Sequence, residues 1–155
     1  MDLSSKEDVD APIAEVFAAL SDFASFERSA IRRGIEVQRL NDPAQPEVGQ
    51  AWAVKFDFRG KSRDLDLKIT NYEPSTLIGL SGETAALQGE GRIELLALSP
   101  QRTRISVSMT FQAKSLTGRL LLQSFKLARS KITKRFKTRV AEFAKLTEER
   151  LSRTA

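Results

Sequence analysis

The stretch VDAPIAEVFAALSDFASFE, residues 9–27, marks where the helices of this chain begin. Asp10 is a residue type that caps helix N-termini, and Pro12 suits a first turn, where its missing N–H leaves no helical hydrogen bond unmade. Apolar residues then recur at helical spacing: Ile13, Val16, Phe17 and Leu20. The stretch therefore predicts a short helix that Asp10 caps.

A second short helix is predicted directly downstream, in SDFASFERSAIRRG. Ser21 or Asp22 is expected to cap this helix, and Gly34 is expected to stop it. Upstream of both helices, the chain is expected to form a short strand from about Leu3 to Val9.

Alternating apolar and polar residues predict six further strands after the helices. These strands are IEVQRL (35–40), AWAVKFDF (51–58), DLDLKITNY (64–72), TLIGLSG (76–82), GRIELLAL (91–98) and TRISVSMTFQA (103–113). The segment RGKSR, residues 59–63, is expected to form the turn between the second and the third of them. Short connections between successive strands indicate an antiparallel meander.

The last part of the chain, from about Leu116 to Leu151, has no proline and a single glycine near its start. Its apolar residues step by three or four positions and form one stripe: Leu121, Phe125, Ala128, Ile132, Phe136, Val140 and Phe143. A curved antiparallel sheet can bury one face against such a helix. We therefore expect an α+β fold in a single domain, residues 1–155. About six to seven strands would grip a long C-terminal helix, with two short helices after strand 1.

The opening stretch also contains a recognisable series: an apolar residue, an acidic one, Ala-Pro, an acidic residue, Val-Phe, then Leu-Ser-Asp-Phe. In this chain the series is Val9, Asp10, Ala11, Pro12, Glu15, Val16, Phe17, Leu20, Ser21, Asp22 and Phe23. It resembles the opening of the START-like superfamily, also called SRPBCC, which includes polyketide cyclases and pollen-allergen-type proteins. The order of elements matches that family's helix-grip fold. Phe26 stands where many relatives have a tryptophan, which leaves the subfamily open.

The resemblance implies a hydrophobic cavity between the sheet and the C-terminal helix, where family members bind lipids, sterols, polyketides or quinone-like molecules. For any single inward apolar residue, packing in a closed core is the simpler interpretation. The residues expected to line the cavity, if it is open, are Trp52, Val54, Phe56, Leu67, Ile69, Ile93, Leu95, Val107, Met109, Phe125, Ile132 and Phe136.

The residue types needed for several kinds of catalysis are missing. The chain has no histidine and no cysteine, which removes the commonest general base, the serine triad and thiolate metal sites. We expect no metal, no cofactor and no catalytic constellation.

Asp64 and Asp66 share the polar side of one strand and are expected to be solvated. Glu7 shares a side with Val9 and could point inward; the alternative is that the strand's register is slipped or that Glu7 is exposed.

Positive charge is concentrated in the C-terminal segment. From Thr117 onward there are 11 basic and 3 acidic residues, a net of +8, whereas the first 116 residues carry a net of −3. A solvated helix back is the simplest interpretation. Contact with an anionic membrane or an acidic protein is the alternative, and nucleic acid is not favoured because the aromatic residues lie on the apolar stripe. The candidate contact residues are Lys126, Arg129, Lys134 and Lys137.

Two functions from different classes follow. The first is non-catalytic binding or transport of a hydrophobic small molecule such as a lipid, a quinone or a polyketide-like compound. The second is a cyclase or dehydratase acting on a polyketide-like or aromatic substrate in the same cavity. The absence of histidine favours binding. The N-terminus lacks the basic and apolar regions of a signal peptide, and no apolar run approaches the roughly 20 residues of a membrane span, so a cytoplasmic location is expected.

Overall fold

The computed structural model describes residues 1–154. In chain order, its elements are β1 (Asp2–Val9), α1 (Ile13–Leu20), α2 (Phe23–Arg32), β2 (Glu36–Arg39), β3 (Ala51–Phe58), β4 (Lys61–Glu73), β5 (Leu77–Glu83), β6 (Leu87–Ser99), β7 (Arg102–Ala113), α3 (Leu116–Leu127) and α4 (Arg129–Thr154). The expected α+β class, the two short helices after β1 and the long C-terminal helix are confirmed.

The seven strands within residues 1–154 form one antiparallel sheet in the order β1-β7-β6-β5-β4-β3-β2. Strands β2 to β7 are a meander, as the alternation predicts. Strand β1 pairs with β7, for example Leu3 with Met109 and Val9 with Thr103. Because β1 and β2 lie at opposite edges, helices α1 and α2 connect one edge of the sheet to the other. We call the sheet face that bears Trp52 the inner face.

The predicted N-cap is confirmed for α2 and wrong for α1. Helix α2 is capped by Asp22, whose Oδ1 accepts a hydrogen bond from the Ser25 N–H (3.3 Å). The predicted Asp10 cap is wrong, because Pro12 is the N-cap of α1 and makes no side-chain bond. The backbone N–H of Asp10 donates instead to Glu148 Oε1 at 2.8 Å, and so ties the start of α1 to α4.

The β3–β4 connection is shorter than predicted. Strand β4 begins at Lys61, so only Arg59 (φ 52°) and Gly60 (φ 75°) form the turn. Positive φ at both central residues is typical of a type I′ turn, which matches the twist of the flanking strands. Arg63 therefore lies in strand β4, opposite Phe56, and not in the turn.

The C-terminal stripe forms two helices, and the expectation of one continuous helix is wrong. The Ala128 N–H donates to Phe125 O (3.1 Å), which tightens the last turn of α3, and the Ile132 N–H bonds Ala128 O (3.0 Å) as α4 begins. No residue marks this break, since alanine favours helices. The two segments pack on different partners: α3 on β7, and α4 along β1 and α1.

The close-packed core lies under α1 and the C-terminal half of α4. Its buried members are Val9, Ala11, Val16, Phe17, Leu20, Ile78, Leu95, Ile105 and Ala144. Thr103 Oγ1 donates to Ala11 O (2.9 Å), and Tyr72 Oη donates to Ser21 Oγ (2.8 Å). Both of these hydroxyl groups therefore have hydrogen-bond partners, as is usual where polar groups are buried.

The acidic residues on the strands fall on the faces that alternation indicates. Asp64 and Asp66 are exposed on the outer face, opposite Lys55 and Ala53, so their expected solvation is confirmed. Glu7 lies on the inner face, opposite the buried Ile105, and its side chain is half-buried. The inward alternative for Glu7 is the correct one.

Gly118 sets how closely α3 approaches the β5–β6 hairpin, because a Cβ at this position would overlap the carbonyl oxygen of Ala86. We expect Gly118→Ala to lower the free energy of unfolding by about 1–3 kcal/mol, although alanine is normally the better helix former. Urea denaturation measures this loss. Thr117→Ala, at the exposed neighbouring position, is the control and should leave stability nearly unchanged. Equal stability of both variants would contradict the close approach.

Asp8 pairs across β1 and β7 with Arg104 (Oδ1 to Nε, 2.8 Å) and with Arg102 (3.4 Å). The hydrogen bond from Arg104, with a smaller contribution from Arg102, holds the pKa of Asp8 below its ordinary 3.8. A carboxyl with a depressed pKa stabilises the fold above its unfolded-state pKa and loses that contribution as pH falls through the folded-state value.

Asp8→Asn should therefore lower the urea midpoint at neutral pH, and the gap from the unmodified protein should close as pH falls below 3.8. Asp2→Asn is the matched control, because Asp2 lies on the same strand and forms no ion pair with any residue from 1 to 154. A gap for Asp8→Asn that stays constant with pH would show that the ion pair is not its cause.

Candidate functional site

A cavity of about 340 Å³ lies between α2 and the inner face of strands β2 to β6. Its lining is almost entirely apolar and is contributed by both short helices and these strands: Leu20, Phe23, Phe26, Glu27, Ala30, Ile35, Val37, Trp52, Val54, Leu67, Ile78, Leu80 and Ile93. The cavity therefore occupies the part of the inner face that α1 and α4 leave uncovered.

Helix α2 covers the cavity without being part of the close-packed core. None of its residues is buried. Two aromatic contacts hold it: Phe23 meets Trp52 edge-on (ring centroids 5.3 Å apart), and Phe26 stacks on Phe143 of α4 (5.7 Å). Arg150 of α4 also pairs with Asp22 at 3.3 Å. A helix held by a few edge contacts leaves apolar space beneath it.

Glu27 is the charged residue of the lining, and its carboxylate forms an ion pair with Arg39. Arg39 Nε lies 2.6 Å from Oε1 and 3.0 Å from Oε2 of Glu27, and Nη1 of Arg39 lies 2.9 Å from Asp42. The hydrogen bond to Glu27, supported by Asp42, raises the pKa of Arg39. The carboxylate is thus held in an ion pair at the rim, where it is 21% exposed.

Trp52 forms part of the cavity wall and is the only tryptophan of the chain. Its side chain is 6% exposed, and its indole Nε1 is buried without a hydrogen-bond partner. The Oε1 of Gln50 is also buried and unpaired. Buried polar atoms without partners are uncommon in native proteins.

The inner face continues beyond the cavity toward the β3–β4 turn. Glycines replace side chains at three inner positions of β5 and β6, and a Cβ at Gly91 would meet nothing nearer than 3.9 Å. At Gly82, Leu67 takes up the space, since a Cβ would lie 3.2 Å from its Cδ2. At the far end Phe58 contacts Phe125 of α3, with ring centroids 6.4 Å apart.

The structure brings together only part of the predicted lining. Trp52, Val54, Leu67 and Ile93 line the cavity. The other predicted residues lie outside its lining. Ile69 and Leu95 are buried, Val107 packs against the core, and five are half-buried elsewhere: Phe56, Met109, Phe125, Ile132 and Phe136. That any of the twelve contacts a ligand remains a prediction.

The predicted lining includes no residue of α2, although the spacing of apolar residues in the sequence indicates which face of this helix points inward. Phe23, Phe26, Glu27 and Ala30 follow the i, i+3, i+4, i+7 spacing of one helix face. Spacing predicts the face but not whether it meets packed side chains or open space.

The four candidate basic residues of the C-terminal segment, Lys126, Arg129, Lys134 and Lys137, are all exposed. Helix α3 in addition exposes three leucines: Leu116 (73%), Leu120 (59%) and Leu127 (93%). At 3.6 residues per turn these three positions lie within about 40° of one another around the helix axis. Helix α3 therefore presents an apolar stripe to solvent.

Two kinds of feature are absent from the described residues. No helix in residues 1–154 is both long and apolar enough to cross a membrane. Nor does this part of the chain gather three or more acidic side chains in a way that would hold a metal ion.

Solved structures with a similar fold include an enzyme and proteins of other descriptions. The Zhui aromatase/cyclase of Streptomyces sp. R1128 is 15% identical, with a TM-score of 0.67 over 97% of this chain and 95% of that one. TTHA0849 of Thermus thermophilus is 14% identical (TM-score 0.66, covering 100% and 99%). A START superfamily protein of Mycobacterium smegmatis is 14% identical (TM-score 0.56, covering 90% and 99%). At such identities the likeness shows the fold alone.

No curated protein matches the sequence. The family described as polyketide cyclase / dehydrase and lipid transport, in contrast, matches residues 1–148. Because it spans residues 1–148, this match shows that the chain belongs to the polyketide cyclase / dehydrase and lipid transport family.

Proposed function

We propose that this protein binds a hydrophobic small molecule in the cavity beneath α2 and acts as a carrier rather than a catalyst. The observation that carries the proposal is the cavity itself, about 340 Å³ of apolar space between α2 and five strands. Ligand pockets are concave, mostly apolar and of similar size. Transfer of an apolar ligand from water to such a site is favourable in proportion to the area buried.

A ligand could enter the cavity if α2 moved away from the sheet. The helix has no buried residue, and its ends lie at Asp22 and at Arg33, beside Gly34 (φ 83°). Separating α2 from the sheet would break the Phe23–Trp52 and Phe26–Phe143 contacts and the ion pairs of Glu27 and Asp22. It would leave the core under α1 in place. Local opening of this kind is expected of the least buried elements of a protein.

A cyclase or dehydratase is the second candidate function, and Glu27 favours it. This carboxylate lines the cavity and could transfer a proton to or from an aromatic or polyketide-like substrate. Its ion pair with Arg39 argues against that role, because a general base must be free to accept a proton. The carrier proposal requires no such group.

We also propose that the surface formed by α3 and the start of α4 contacts an anionic membrane. The exposed stripe Leu116, Leu120 and Leu127 is flanked by Arg119 and Lys126, and no Asp or Glu occurs from residue 95 to 141. Leucines can enter the headgroup region of a bilayer while basic side chains bind anionic lipids, each contributing about 1 kcal/mol. The absence of acidic residues matches the negative surface of such a membrane.

Filling the cavity should prevent ligand binding. Trp52 reports binding of the neutral dye N-phenylnaphthylamine by energy transfer, because it is the sole tryptophan and lies in the cavity wall. We expect Val54→Phe to weaken dye binding by about tenfold or more, since the added ring occupies the space the dye needs. Val48→Phe, at a loop position that is 58% exposed, is the matched control and should bind the dye normally.

Dye that binds Val54→Phe and the unmodified protein equally would rule out this cavity as the site. Native mass spectrometry of the purified protein would identify a ligand that has remained bound. Conversion of a linear polyketide-like substrate that is lost in Glu27→Gln, with dye binding retained, would favour the enzyme instead.

Membrane contact should depend on charge, salt and the exposed leucines. We expect binding to anionic vesicles at low salt, weakening as salt screens charges beyond about 10 Å at 0.1 M, and little binding to neutral vesicles. Reversing the charges of Lys134 and Lys137 should reduce vesicle binding but leave dye affinity unchanged. Leu120→Ser should weaken vesicle binding, whereas Leu96→Ser should not, although both leucines are 59% exposed.

Co-sedimentation with vesicles measures this binding. If the protein ignores anionic vesicles at low salt, the membrane proposal is wrong and the cavity proposal is unaffected. Retention by an acidic protein under the same conditions would then assign the basic surface to a protein partner.

A further inference from the structure

Arg63 is a cation on the apolar inner face of the sheet. It lies on β4 opposite Phe56, on the same side of the strand as Leu65 and Leu67. Its Nε is buried and has no hydrogen-bond partner within residues 1–154. No carboxylate among these residues forms an ion pair with its guanidinium.

Within residues 1–154, the surroundings of Arg63 offer no carboxylate partner. The β4–β5 pairing ends at Asp66 and Glu83, so no strand lies on the other side of Arg63. The acidic residues nearest in the hairpin, Asp57 and Asp64, alternate onto the outer face. Of the acidic residues on the inner side, Glu27 is bound by Arg39, and Glu7 lies at the β1 edge.

Although Arg63 as a whole is only half-buried, its Nε needs an explanation, because burying a guanidinium donor without a partner is unfavourable. Arg63 is not needed to balance a neighbouring carboxylate, and it occupies a position where its neighbours along the face, Phe56 and Leu65, are apolar. The missing partner is therefore best sought outside the chain, in an anion that the protein binds.

Arg63 and the cavity share one continuous surface. Leu67 lines the cavity, and Leu65 and Arg63 follow it along the same side of β4. Arg63 precedes Leu67 by four positions along the strand, a distance of about 13 Å. Lys61, opposite Phe58, adds a second basic residue at this end. The inner face thus runs from an apolar cavity at one end to a basic group at the other.

We propose that the ligand is a single-chain amphiphile with a carboxylate head, whose apolar tail fills the cavity and whose carboxylate binds Arg63. This inference rests on the proposed ligand binding and adds the chemical class of the ligand. Guanidinium and carboxylate form two parallel hydrogen bonds, which would give Arg63 the partner it lacks. Arg63 then determines specificity, and apolar contact in the cavity supplies the remainder of the affinity.

The test compares two ligands with the same chain, dodecanoate and dodecanol, by isothermal titration calorimetry at neutral pH. The unmodified protein should bind dodecanoate about tenfold or more tightly than dodecanol, because only the acid meets the guanidinium. Arg63→Gln should remove this preference while leaving dodecanol affinity unchanged. Lys68→Gln is the matched control, since it removes a positive charge from the outer face of the same strand and should keep the preference.

A second variant separates binding from folding. Arg63→Met keeps much of the length of the side chain and removes the unpaired donor, so its thermal midpoint should equal or exceed that of the unmodified protein. A large loss of stability would mean that Arg63 serves the fold and would overturn the proposal.

The remaining outcomes distinguish this inference from the function on which it rests. Equal binding of dodecanoate and dodecanol to the unmodified protein overturns the role of Arg63 and leaves the cavity proposal standing. A preference that survives in Arg63→Gln also overturns that role, because another group must then recognise the head. Failure to bind either ligand counts against the proposed carrier function itself.

Discussion

The pairing of β1 with β7 is the constraint on which the rest of the structure depends. It places β1 at one edge of the sheet, while β2 forms the other edge. The chain between them must therefore pass across the sheet, and it does so as α1 and α2. Helix α1 buries Val16, Phe17 and Leu20 and completes the core with α4. Helix α2 reaches the far edge without burying any residue. One part of the inner face becomes core, and another part becomes the wall of the cavity.

This division separates a close-packed core from an open cavity on one face of the sheet. The core end holds its polar groups in hydrogen bonds, as Thr103 and Tyr72 show. In contrast, Trp52 Nε1, Gln50 Oε1 and Arg63 Nε are buried without partners, and Gly91 leaves an inner position without a side chain. Unsatisfied groups are costly in a core. Those of Trp52 and Arg63 lie on the inner face at the cavity and beyond it, which agrees with a surface shaped for a molecule from outside the chain.

Most of the fold could be predicted from the sequence because strand alternation and helix spacing act over a few residues. Trp52, Val54 and Leu67 could be placed on the inner face for that reason. The helix break at Ala128 could not be predicted, because it arises from packing of α3 and α4 on different partners. The sequence pattern places Arg63 in the β3–β4 turn, whereas the structure places it in β4. The turn is only Arg59-Gly60, and a type I′ turn that begins with arginine has a weak sequence signal. Whether inward residues meet one another or a cavity depends on the covering helix, which alternation does not describe.

The slight burial of α2 has an evolutionary consequence. Most substitutions in a packed core destabilise a protein, whereas changes at weakly buried positions are usually tolerated. Phe23, Phe26 and Ala30 face the cavity from a helix that contributes no buried side chain. Descendants of this protein can therefore alter the shape of the site at these positions with little risk to folding. In such a lineage, sequence divergence should concentrate in α2, while α1 and the β1–β7 edge change slowly.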